Sequence, residues 1–180
     1  MTINNLRQAI VGVQQYVAEF DPQPGSNHYN YQAAANNSEM STRYIIIDPI
    51  LNALGWCLSN PSECIVENFT EGGKPDYTLL DDEGEAVIVI EAKRIDGDTR
   101  YKGYSAQLAR YADSYPAIDV AVITNGQYWD IYYYDDVEGE VIPEFIDENG
   151  RERPLGLHWH HTQTTAWRLH HRLWKGHYWR

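Results

Sequence analysis

An α/β fold with about five strands is the architecture that the 180-residue chain predicts, and three observations predict it. Val87-Ile88-Val89-Ile90 and Val120-Ala121-Val122-Ile123 are unbroken apolar runs, the pattern of central strands buried on both faces. Each has a strand-like neighbour across a polar, glycine-bearing turn, which is a hairpin signal. Segments with apolar residues at helical spacing precede and separate these strands, so the order reads helix, three strands, helix, two strands.

The first helix occupies residues 3 to 19, where Leu6, Ile10, Val13 and Val17 form one stripe. Residues 21 to 37 are rich in Pro, Gly, Asn and Ser and read as loop. Ser38 is a plausible N-cap for a second helix, which places Glu39 and Arg43 four apart on one face. Ile47-Asp48-Pro49 looks like a restart, with Asp48 capping and Pro49 at the first helical position. It leads through Ile50, Leu51 and Leu54 to a stop at Gly55-Trp56, so two helices, or one kinked helix, cover residues 38 to 54. A first strand follows from Cys64 to Phe69, and the hairpin of residues 76 to 92 turns at Asp81-Asp82-Glu83-Gly84-Glu85. Residues 103 to 114 read as a helix with Tyr104, Leu108 and Tyr111 on one stripe, closed by Pro116. Val120 to Ile123, the turn Thr124-Asn125-Gly126-Gln127 and Trp129 to Tyr134 form the second hairpin. Acidic residues and Gly accumulate from 136 to Gly150, and a last helix spans Trp167 to Trp174 with Leu169 and Leu173 at i,i+4.

Length favours a single core. No apolar stretch is long enough to span a bilayer and no secretion signal is present, so the expectation is a soluble, cytoplasmic protein with no membrane partner. Cys57 and Cys64 stand in no metal-binding pattern and read as reduced thiols. The net charge of −12 is unevenly distributed, because every acid lies at or before Glu152. The last 28 residues carry Arg153, Arg168, Arg172, Lys175 and Arg180 with six of seven histidines and four of six tryptophans. Passive DNA binding by bulk charge is therefore disfavoured, and any nucleic acid must be held by local patches. Residues 1–156 read as the main domain and 157–180 as a basic, Trp- and His-rich extension packed on it. Its arginines and aromatics suit either stacking against nucleic acid or core and dimer packing. The histidines at 158, 160, 161, 170 and 171 have no diagnostic metal spacing.

The first hairpin carries the chemistry. If Leu80 pairs with Val87, Asp76 falls opposite Glu91, and Lys93 shares their face because strand side chains alternate. Opposed like charges destabilise a hairpin, and a divalent cation would relieve them. Mg²⁺ takes oxygen ligands, commonly one or two carboxylates with waters and substrate phosphate. The bland alternative is a hairpin whose end carries solvated charges.

Glu39 with Thr42-Arg43, Ile47-Asp48-Pro49 through Leu54-Gly55-Trp56, Pro75-Asp76-Tyr77, Glu91-Ala92-Lys93, Gln107 with Tyr111, and Ile123-Thr124-Asn125-Gly126 with Trp129 occur in an order that resembles the PD-(D/E)xK nuclease superfamily. The N-terminal nuclease domain of type I restriction enzyme R subunits is the nearest likeness, over about residues 38 to 134. The resemblance implies a restriction-endonuclease-like core, a mixed central sheet flanked by helices. It implies Asp76, Glu91 and Glu39 as metal ligands, with the backbone carbonyl of Ala92, and Lys93 as the catalytic lysine. Gln107 and Tyr111 match a QxxxY motif that positions substrate or lysine, and a packed helix face would look the same. Arg43 reads as a phosphate contact or as the partner of Glu39. No GxxxxGK[ST] loop is present, so an ATP-driven motor is not expected in this chain.

The expected function is a Mg²⁺-dependent DNA endonuclease, with Mn²⁺ able to substitute, acting alone, as a homodimer or with other restriction or defence subunits. The rival expectation is a non-catalytic nucleic-acid or protein-binding module on a nuclease scaffold.

Overall fold

The computed structural model describes residues 2–19, 38–97, 99, 103–135, 140–143, 145–146, 152–153, 155–158 and 162–179. The expected loop over 21–37, and His160 and His161, lie outside the described residues.

Helix α1, Ile3–Glu19, buries the predicted stripe of Leu6, Ile10, Val13 and Val17. Helix α2 follows in three contiguous parts: an α-helical turn Glu39–Thr42, a π-helical segment Arg43–Ile47 and an α-helical stretch Asp48–Ala53. Ser38 caps it, its hydroxyl accepting from the Ser41 N–H at 3.4 Å. Of the two readings for residues 38 to 54, the structure shows the single helix, its register changing through the π-helical segment before Pro49. Pro49 has no N–H to donate, and the preceding π-helical register carries the chain past it without a new cap. The Asp48 carboxylate instead accepts from the Tyr77 hydroxyl at 2.6 Å. The stop is as expected: Gly55, at φ +102°, follows the last turn, and the Gly55 and Trp56 N–H groups bond back to Asn52 and Leu51, a Schellman closure.

Strands β1 (Cys64–Val66), β2 (Tyr77–Leu80), β3 (Ala86–Ala92), β4 (Val120–Thr124) and β5 (Tyr128–Asp135) lie side by side in that order. Only β3 and β4 are parallel, which makes the sheet mixed. The crossover between them carries helix α3, Gly103–Ala112. Strand β1 is shorter than expected and ends at Val66, because Glu67, with a φ of +54°, turns the chain out of the ladder. The sheet is also wider than five strands. β6 (Glu140–Pro143) and β9 (Leu155–His158) both pair with β5, on its second and first halves, while β7 (Phe145–Ile146) and β8 (Glu152–Arg153) form a separate ladder. These strands of two to four residues, set among acidic residues and glycines, are too short to give a strand signal, and backbone pairing to an existing edge asks little of side-chain pattern.

Residues along each strand alternate between two cores. Tyr77, Leu79, Ile88, Ile90, Val120, Val122, Trp129 and Ile131 pack with α1, α2 and helix α4 (Thr162–Leu173), whereas Val89, Ala121 and Ile123 pack with Leu108, Tyr111 and Ala112 of α3. The C-terminal segment is part of the first core through Ala166, Leu169 and Leu173. The Trp56 indole donates to the Leu173 carbonyl at 2.8 Å, and the Trp179 indole donates to the Leu80 carbonyl at 2.7 Å. Lys175 reaches Glu63 at 2.6 Å.

Burial pushes the Glu63 carboxyl up, but the Lys175 ammonium, the Cys57 N–H and Asn60 outweigh it and hold it below the usual range. A lowered folded pKa stabilises above the unfolded value, about 4.3 for Glu, and that contribution disappears as pH falls through the folded value. Glu63→Gln should therefore cost about 1–3 kcal/mol at pH 7, with the difference from wild type shrinking in urea melts repeated below about pH 4.

Candidate active site

The β2–β3 ladder pairs Tyr77 with Ile90 and Leu79 with Ile88, a register that continues to Asp76 opposite Glu91. Near the turn the pairing differs from expectation, because Leu80 meets Ala86 rather than Val87 and an irregularity between Leu79 and Leu80 absorbs the extra residue. A bulge lets the turn close in its own preferred geometry without sliding the far end of the hairpin. Glu91 and Lys93 follow Val89 in phase and so emerge on the α3 side. Lys93 Nζ lies 2.6 Å from Glu91 Oε1, and Gln107 Nε2 of α3 donates to that oxygen at 3.0 Å. Gln107 also donates to the Tyr111 hydroxyl at 2.6 Å, and the Lys93 ammonium sits 4.6 Å above the Tyr104 ring centre. Glu91 Oε2 is buried and has no hydrogen-bond partner among the described residues.

Asp76 is held from two sides. Its Oδ2 accepts the Ala92 N–H at 2.7 Å, and its Oδ1 accepts Arg43 Nη1 at 2.8 Å. Arg43, at the start of the π-helical segment, also reaches Glu67 at 3.1 Å, and it donates at 3.3 Å to both the Tyr77 hydroxyl and the Asp76 carbonyl. Its guanidinium lies 4.7 Å over the Tyr77 ring. Arg43 thus pairs with Asp76 and Glu67 and has no ion pair with Glu39. A buried carboxylate in low dielectric draws a guanidinium more strongly than a half-exposed one. The side chain is only 7% exposed, so a phosphate would meet it at the floor of the site rather than on a surface.

Burial raises the carboxyls of Asp76, Glu91 and Glu39 above their usual range. The Asp76 charge adds to the rise at both Glu91 and Glu39. Burial works against the Lys93 ammonium, but Glu91 and then Glu39 outweigh it and leave its pKa raised. Lys93 is therefore a fixed cation at neutral pH, among carboxylates that resist full ionisation together. The site is short of positive charge.

The fit of these residues to a metal rests on their donor atoms. Among the described residues no three of His, Cys, Asp and Glu stand together as a ready cage. Each Asp76 oxygen keeps an accepting lone pair beyond its one bond, and Glu91 Oε2 has both free. The carboxylate oxygens of Asp76 and Glu91 are the donor type that Mg²⁺ or Mn²⁺ takes, unlike the thiolate and imidazole preferences of structural zinc, and Glu39 is not grouped with them as a third ligand.

The chain after Lys93 is held by residues that sequence reasoning left without a role. Thr42 Oγ1 of α2 accepts the Ile95 N–H at 3.0 Å, and the Asn125 amide donates to the Ile95 and Gly97 carbonyls at 3.2 and 2.9 Å. Gln127 Nε2 adds a 3.0 Å bond to Ile95. The Thr124-Asn125-Gly126 turn, quoted for its spacing, thus clamps the exit of the lysine strand. The signal for Asn125 was only its place in a turn, and long-range partners leave no local pattern. Gly126 sits at φ +83° with Ile46 Cγ2 at 2.3 Å from where a Cβ would stand. Gly126→Ala should destabilise by about 1–3 kcal/mol through strain and overpacking, measured as a lowered thermal midpoint.

A mixed sheet with α3 on one face, α1, α2 and α4 on the other, and charged residues at the ends of β2 and β3 defines a restriction-endonuclease-like α/β core. No family profile matches the chain and no curated protein matches it. Among solved structures, a chain of the cryoEM structure of a DrdV–DNA complex aligns over 92% of this chain at 15% identity with a TM-score of 0.47. The present chain spans 14% of the length of that one.

Proposed function

We propose that the protein is a divalent-metal-dependent DNA endonuclease that hydrolyses phosphodiester bonds. The observation that carries this reading is Glu91, with one carboxylate oxygen fixed by Lys93 and Gln107 and the other buried and without a hydrogen-bond partner among the described residues. An orphaned buried carboxylate oxygen costs free energy, and a cation at that oxygen removes the cost. Asp76, Glu91, Glu39 and the carbonyl of Ala92 are the residues that would hold Mg²⁺ or Mn²⁺. When bound, such an ion polarises a phosphoryl oxygen and lowers the pKa of a coordinated water. Lys93, kept protonated by Glu91 and Glu39, places a positive charge where the phosphoryl group gains negative charge. Gln107 and Tyr111 orient Glu91 from α3, and Arg43 with the Ala92 N–H fixes the Asp76 carboxylate in one rotamer. One site cuts one strand at a time, so double-strand cleavage calls for a homodimer, partner subunits or two successive events.

A second reading is supported by Asp76, both of whose oxygens already accept strong bonds. A site satisfied without metal would leave a nucleic-acid or protein-binding module on a nuclease scaffold.

Plasmid nicking separates the two. With Mg²⁺ or Mn²⁺ the wild type should relax supercoiled DNA, and EDTA should abolish the reaction. Cleavage that persists in both Asp76→Ala and Lys93→Ala would sink the assignment. A wild type that never cuts would favour the binding module.

A further inference from the structure

The outer face of α4 has no part in the site above. Its inner face is buried through Thr165, Ala166, Leu169 and Leu173. The opposite side carries aromatic rings in two stacked pairs at i,i+4. Trp167 lies on His171 with ring centres 5.3 Å apart and planes 10° from parallel, and His170 lies on Trp174 at 4.9 Å and 15°. His177, from the 3-10 turn Lys175–His177, meets His170, His171 and Trp174 edge-on at 6.4, 6.2 and 5.2 Å. The five rings form one contiguous patch, of which Trp167 is 56% exposed.

Among the described residues around this patch the cations Arg7, Arg168, Arg172 and Lys175 outnumber the acids Glu63 and Asp119, the latter acting on Tyr178 just after the 3-10 turn. The chain carries 26 acids, yet none lies after Glu152. Arg168 and Arg172 flank the rings on α4. Helix α1, which packs beside α4, has Arg7 and a single acid, Glu19, its last residue. Glu63, which reaches the 3-10 turn, is neutralised by Lys175. An aromatic face with arginines beside it, on a protein of net charge −12, is complementary to an anionic partner. Exposed aromatic rings beside arginines suit unpaired bases, because stacking needs a free π-face that a duplex does not offer.

We propose that this face binds single-stranded DNA, with a base stacked on Trp167 and the backbone held by Arg168 and Arg172. It is separate from the scissile site. The Trp179 bond to Leu80 ties the segment after α4 to the turn end of the β2–β3 hairpin, whereas Asp76 and Glu91 lie at the other end. The inference deepens the nuclease reading by naming a substrate form, a DNA with a single-stranded stretch, but binding here does not require cleavage.

The test uses the full chain in EDTA, so cleavage plays no part, with a fluorescent 20-nucleotide oligothymidylate as probe. The expected result is salt-sensitive binding that Trp167→Ala weakens by about 5- to 100-fold and Arg168→Glu weakens with a smaller salt slope. Because Trp167 and Arg168 lie on the outer face, circular dichroism should show both variants folded. Unchanged affinity in folded Trp167→Ala, or equal affinity for a duplex of the same length, would overturn the proposal. A protein that binds the oligonucleotide but never nicks plasmid would remove the nuclease reading and leave this one standing.

Discussion

Lys93→Ala should reduce Mg²⁺-dependent nicking by about 10²–10³, the usual cost of removing one group that stabilises transition-state charge. Asp76→Ala should cost at least as much, because it would remove a proposed metal ligand and also leaves Arg43 without its closest partner. The two losses should not add, since both residues act on one reacting group. Initial rates of supercoiled-plasmid relaxation for both single variants and the double variant measure this. Lys93→Arg is the informative control. It keeps the charge, but a planar guanidinium cannot reproduce the 2.6 Å approach to Glu91 beside the Tyr104 ring, so it should recover only part of the rate.

The largest expected effect on stability belongs to Arg43. Its side chain is 7% exposed and serves Asp76, Glu67 and Tyr77 together. Arg43→Ala strands the buried Asp76 carboxylate, and breaking such a pair from one side costs about 3–5 kcal/mol. A domain of this size has only about 5–15 kcal/mol in total, so urea melts at pH 7 should show a large fall in midpoint. Asp76→Asn in the same chain removes the stranded charge, and the double variant should be less destabilised than the sum of the singles. Additive losses would show that Arg43 contributes by packing against Tyr77 and not by answering Asp76.

Much of this molecule is legible without coordinates. The stripes of α1 and α3, the buried runs of β3 and β4 and the Gly55 stop are local patterns, and each appears where its period and composition put it. The alignment of Asp76 with Glu91 follows from strand pairing alone, although a bulge that no pattern announced was needed to keep it. Other features were misjudged or absent. Asp48 resembles a helix cap from its neighbours, but Tyr77, 29 residues away, claims its carboxylate. The strands that widen the sheet beyond β5 are four residues each, too short within an acidic, glycine-bearing stretch to stand out.

The sequence by itself determined the layers, the hairpin and the set of residues able to do chemistry, because period, turn composition and charge are properties of neighbouring residues. Only the tertiary structure decided how those residues are used. It put Arg43 on Asp76 instead of Glu39, left Glu91 Oε2 without a partner, and set the α4 rings on an outer face. The reason is physical: the energy of a buried charge or an exposed ring depends on what surrounds it, and those surroundings come from segments distant in the chain.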